Sequence, residues 1–228
     1  MYIWKCWRDT RWFFLVFVAI AASVMPFAAF ANKGGPAIRS FGAMALAETF
    51  ATIVAAAAYA MGTITAIQEF TDKTAHFLFT KPRSRAYFVW ASWIVGFGEL
   101  MIIASVNLLS GWCVLAHYGG SPLEDFPLHP INAQSYVGPL IYAIFAYALT
   151  YSFTILFRNG LKGLGASLGV MAGFVGIADA LDMRWHIQLP RPPGQIGGLP
   201  LAASNVIWII VALLLIYGAA LALERAEI

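Results

Sequence analysis

Six long apolar blocks, separated by short polar stretches, account for most of the chain. They cover about 12–31, 41–67, 87–116, 136–157, 161–180 and 201–223. At 1.5 Å per helical residue each is long enough to cross a hydrocarbon core roughly 30 Å thick. Lipid offers backbone groups nothing to bond with, so each block is predicted to be a helix that satisfies its own amides and carbonyls. The expected fold is therefore all-α: a polytopic membrane protein whose residues 1–228 form one transmembrane domain. Pro26 is expected to kink the first span. The second is crowded with small residues, among them Gly42, Ala47, Ala51, Ala55, Ala58 and Gly62, which suit close helix approach in lipid. The third is longer than a crossing needs, and so is expected to tilt or to emerge.

The polar stretches are uneven. In residues 1–11, Ile3, Trp4 and Trp7 stand against Lys5, Arg8, Asp9 and Arg11, a composition that predicts an N-terminal interfacial helix at headgroup level. Residues 68–86 form the only long charged interruption in the middle of the chain. Ile67, Phe70, Thr74, Phe77 and Leu78 recur there at helical spacing, with Glu69, Asp72, Lys73 and His76 on the other side. This predicts a short amphipathic helix, ended by Pro82. Lys81, Arg83 and Arg85 follow at once, and basic residues flanking a span mark the cytoplasmic side.

A census of the cations orients the whole chain. The N-terminus, the 68–86 stretch, the 158–162 turn and the C-terminus hold ten Lys and Arg, and the other loops hold four: Lys33, Arg39, Arg184 and Arg191. Both termini are thus expected on the cytoplasmic face of an inner membrane.

Composition agrees with this and removes several function classes. Hydrophobic residues make up 61% and charged residues 11%, against about a quarter charged in a soluble domain. Cys6 and Cys113 lie far apart and on opposite sides by the expected topology, so neither a disulfide framework nor a cysteine zinc site is indicated. His76, His117, His129 and His186 all avoid the middle of a span and show no metal-ligand spacing, so no metal site is predicted. No basic face with interleaved aromatics suggests nucleic acid. No Walker A pattern occurs either, so the chain is not expected to bind ATP or another cofactor itself, nor to be an enzyme.

A few residues stand out within the spans. Glu99 lies twelve positions beyond Tyr87, roughly 18 Å along a helix, which places it near the bilayer midplane. Ionised and alone there it would cost several kcal/mol, so it is expected to be protonated, paired or facing a hydrated cavity. Asn107 extends the same face. The two are candidates for a translocation path or for hydrogen bonds between helices. Gly165, Gly169 and Gly173 repeat every four residues, the pattern of small-residue helix packing. The same stretch contains Gly165-Ala166-Ser167-Leu168-Gly169, a match to the G-x-S-x-G of hydrolases, but it falls inside an apolar span with no histidine in the sixth span to serve as base.

The stretch from Glu69 to Arg85 also resembles the segment between spans two and three of ABC-transporter permeases of the type-2 exporter class. Glu69, Thr74, the apolar pair Phe77 and Leu78, and Pro82, Ser84 and Arg85 fall on the places of that motif, with Lys73 where the family commonly has glycine. The resemblance implies a cytoplasmic coupling helix that docks on a separate ABC ATPase subunit, which would hold ATP and Mg. Phe70, Phe77 and Leu78 would enter its groove, with Glu69, Asp72, Lys73 and Arg83 as polar contacts. It further implies a second permease copy, identical or related, surrounded by membrane lipid, with spans two and five as facing helices. Two other readings stand beside it: a non-catalytic scaffold subunit of a larger membrane complex and, more remotely, an intramembrane hydrolase built on Ser167.

Overall fold

The computed structural model describes residues 2–31, 36–71, 85–117, 130–185 and 201–225. These form six helices: α1 (Tyr2–Ala31), α2 (Pro36–Thr71), α3 (Arg85–His117), α4 (Pro130–Phe157), α5 (Gly160–Trp185) and α6 (Leu201–Arg225). Each contains a stretch long and apolar enough to cross a membrane. Among the described residues the fold is all-helical, that of a multi-pass membrane protein.

Helix ends differ from the hydropathy boundaries where polar residues can stay helical. Residues 2–11 are not a separate interfacial helix: they run without a break into the first span. No glycine or proline interrupts them before Pro26, and one side of the segment is buried through Cys6 and Thr10, so it belongs to the bundle. Pro36 opens α2, at a position where its missing N–H costs nothing. At its other end α2 continues to Thr71 and so takes up the first residues of the expected coupling helix. The rest of that segment, with Asp72, Lys73, Thr74, Phe77, Leu78, Pro82 and Arg83, lies outside the described residues.

Contacts fix how the helices run. Thr10 meets Glu99 and Ala21 meets Asn107, so α1 and α3 are parallel. Tyr59 meets Tyr142 and Thr65 meets Tyr147, so α2 and α4 are parallel as well. Tyr147 reaches Trp93 and Tyr151 reaches Val89, which sets α3 against α4 in the opposite sense. The start of α1, the end of α2, the start of α3 and the α4–α5 turn therefore share one end of the bundle. That turn is tight: Arg158 takes a left-handed conformation (φ 51°), and the Asn159 side chain caps α5 by accepting the Lys162 amide at 3.1 Å.

α4 is buried on two faces. One packs Ala143, Ala146 and Tyr147 against Phe50, Val54 and Met61 of α2, together with Leu100 and Ile103 of α3. The other packs Phe145 and Leu149 against Trp208, Ala212 and Ile216 of α6. A helix apolar all round is stable only in such a position or in lipid. α1, α5 and α6 lie outside and expose large apolar side chains such as Trp12, Phe27, Leu161, Ile177 and Leu214. Lipid is the solvent that accepts such a surface.

Candidate functional site

The seam between α1 and α3 gathers the polar groups that the apolar spans otherwise avoid. Glu99 is 3% exposed. Its Oε1 lies 2.6 Å from the Thr10 hydroxyl of α1, while its Oε2 is buried with no hydrogen-bond partner among the described residues. Thr10 precedes the first apolar block and sits among Lys5, Arg8, Asp9 and Arg11. Glu99 therefore lies beside the charged beginning of α1 and not opposite the middle of its apolar stretch. α3 extends further than α1 beyond this contact: Arg85 is fourteen positions from Glu99, roughly 21 Å, and Tyr2 is eight from Thr10, roughly 12 Å.

One turn before Glu99 the backbone itself comes close to α4. The Tyr147 hydroxyl donates to the Trp93 carbonyl at 3.1 Å and lies 3.4 Å from the Thr65 hydroxyl. Gly96 leaves the space for this. A Cβ there would strike the Tyr147 hydroxyl and come 2.7 Å from the Thr65 methyl. The same end of the bundle is tied further by Gln68 of α2, whose amide donates to the Asp9 carbonyl at 2.7 Å, and by the Lys5–Asp9 pair at 3.8 Å.

Two further ties lie along the seam. Asn107 donates to the Ala21 carbonyl at 3.1 Å, and Ser110 donates to the Ala22 carbonyl at 2.8 Å. The second has a covalent cause. In an unbroken helix the Ala22 carbonyl would accept from the amide of residue 26, and Pro26 has none. Ser110 supplies the missing donor from the neighbouring helix, as membrane proteins require. The pairing of Pro26 with a hydroxyl on a facing span is the signal that sequence reasoning overlooked, and Thr10 was missed because its partner is 89 positions away.

The structure thus brings Glu99 and Asn107 together on one face of α3, turned toward α1, and neither lines the groove found along those helices. That groove, of about 660 Å³, is lined by Pro26, Phe30, Val106, Leu109 and Cys113, and it is apolar and open to the bundle surface. Gly165, Gly169 and Gly173 point the other way from their own bundle: a Cβ at any of them would meet nothing within 4 Å. α5 packs on α4 through Gly163 and Ser167 instead. A Cβ on Gly163 would come 2.6 Å from the Thr154 Cα. Ser167 is buried inside the helix, accepting from Thr150 at 3.0 Å and donating to the Leu164 carbonyl at 2.8 Å, so it is not raised on the sharp turn that a nucleophile needs. Glu69, Phe70 and Arg85 lie at helix ends adjoining 72–84. Among the described residues no three or more His, Cys, Asp or Glu side chains converge. Compared with protein-family models, curated proteins and solved structures, the chain matches none.

Proposed function

We propose that the chain is the permease subunit of an ATP-binding-cassette exporter, working in the inner membrane with both termini in the cytoplasm. It contributes the membrane route, and a separate ATPase subunit binds ATP and Mg. The observation that carries this reading is the placement of the helices that flank residues 72–84. α2 packs on α1, α3, α4 and α5, and α3 packs on α1, α2, α4 and α6. A force applied to the segment joining them would reach every helix of the bundle. The resemblance of Glu69 to Arg85 to the coupling segment of type-2 exporters supports the same reading, as does the cluster Lys81, Arg83 and Arg85. The route runs between two permease copies, as the resemblance to type-2 exporters implies. The open Gly165, Gly169 and Gly173 face of α5 is suited to that contact.

The test is purification of the native complex. An ATPase subunit should accompany the chain, and its hydrolysis should fall when Phe77→Asp is introduced. Tagging that placed Lys73 outside the cytoplasm would overturn the proposal. The polar ties that close the α1–α3 seam also suit a second reading, a scaffold subunit with no substrate route. An assembly that contains no ATPase would select it.

A further inference from the structure

We propose that Glu99 is a proton-binding site: the bundle holds it as a carboxylic acid that donates to Thr10, and the bound proton keeps α1 closed against α3. The argument is a count of hydrogens and stands whether the chain is a permease or a scaffold. A threonine hydroxyl carries one proton. Three acceptors lie around that of Thr10: Glu99 Oε1 at 2.6 Å, the Cys6 carbonyl at 3.1 Å and the Trp7 carbonyl at 3.3 Å. If Glu99 were a carboxylate, Thr10 would spend its proton there. The charge would then hold one hydrogen bond, with Oε2 buried and bare of donors. With a proton on Oε1, Glu99 donates to the Thr10 oxygen, and Thr10 donates back to its own helix at Cys6. Every hydrogen is then used, and the oxygen left over is a neutral carbonyl, which tolerates burial far better than an anion.

Among the described residues no cation lies within ion-pair distance of Glu99 to replace that proton. From α1 the charged and titratable neighbours are Cys6 and, toward the helix start, Asp9 with Lys5 at 3.8 Å and Arg8 at 3.4 Å. Arg11 lies 5.4 Å over the Trp12 ring. From α4 comes the Tyr147 phenol, which donates to the Trp93 carbonyl. α2 brings Thr65, its Tyr59 being bonded to Tyr142 and its Glu48 exposed. α6 carries Tyr217, Glu224 and Arg225 at exposed positions. Among the described residues no ion pair reaches Glu99. Thr10 itself belongs to the charged first turns of α1, with Lys5, Arg8, Asp9 and Arg11.

Infrared spectroscopy of the purified protein in lipid at neutral pH tests this directly. The expected result is a protonated-carboxyl stretch that shifts in deuterated water, disappears in Glu99→Gln and survives in Glu48→Gln. The Gln amide occupies the same place and can donate to Thr10, so that variant keeps the fold. A wild-type spectrum without the band, or a band that persists in Glu99→Gln, overturns the assignment. The link to helix contact is read from the buried Cys6 thiol in a Cys113→Ala background. As pH rises until the band is lost, the ratio of Cys6 alkylation rates, wild type over Glu99→Gln, should climb about tenfold, the equivalent of about 1.4 kcal/mol in an opening equilibrium. A ratio that stays at one through that transition overturns the coupling.

Discussion

The α1–α3 seam and the α4–α5 hairpin are both pairs of packed membrane helices, yet they are held by different means. α1 and α3 are far apart in sequence and joined by side chains that reach across the gap: Glu99 to Thr10, Asn107 to Ala21 and Ser110 to Ala22. α4 and α5 are joined by a two-residue turn, and Gly163 lets their backbones come almost into contact at Thr154. In lipid no hydrophobic force drives helices together, so association rests on close packing and on polar ties. The hairpin rests on the first, with one polar tie from Thr150 to Ser167, and the seam on the second. The lesson is that where the chain does not already hold two helices side by side, polar ties carry the contact that close backbones make in the hairpin.

Substitutions can break each half of this contrast. The largest effect is expected from Gly163→Leu, which forces apart backbones that have no flexible side chain to yield. A loss of about 3 kcal/mol, read by denaturant unfolding in micelles, is the expected cost. Glu99→Ala should cost about 2 kcal/mol by the same measurement, because it leaves a void at the seam and unties Thr10. Glu99→Gln should stay within about 0.5 kcal/mol of wild type. Ser110→Ala should cost about 0.6 kcal/mol, the average for a hydrogen bond between membrane helices. That cost should vanish in a Pro26→Ala background, where the restored amide serves the Ala22 carbonyl, and a double-mutant cycle measures the difference. Smallest of all, Gly169→Leu should change the stability of the single chain by less than about 0.5 kcal/mol, since nothing in the bundle touches that face. On the two-copy reading it should still abolish crosslinking between copies.

Hydropathy located all six helices because lipid imposes length and apolarity on every crossing. It said little about which helix neighbours which, since a surface facing lipid and one facing another apolar helix look alike in composition. The 2–11 stretch shows the limit. Its tryptophans and cations suit a headgroup layer, but Cys6 and Thr10 on its other side are buried against the bundle. Glu99 and Asn107 were legible as a shared face, and their partner helix was not, because Thr10, Ala21 and Ala22 are unremarkable residues until α3 is placed beside them. The G-x-x-x-G run in α5 was legible as a packing surface. That it points away from its own bundle depends on Gly163 and Ser167, one helical face over, having taken the contact with α4.

The partnership of α1 with α3 imposes an order on biosynthesis. α1 leaves the ribosome well before the segment that completes it, with 89 positions separating Thr10 from Glu99. At about 5–20 residues per second, that gap is a delay on the order of 5–20 s. Through it the Ala22 carbonyl, deprived of its donor by Pro26, waits in the insertion machinery or in bare bilayer for Ser110 to be translated. The nascent protein is thus least secure early in its synthesis, and the arrival of α3 is the event that commits α1 to its place.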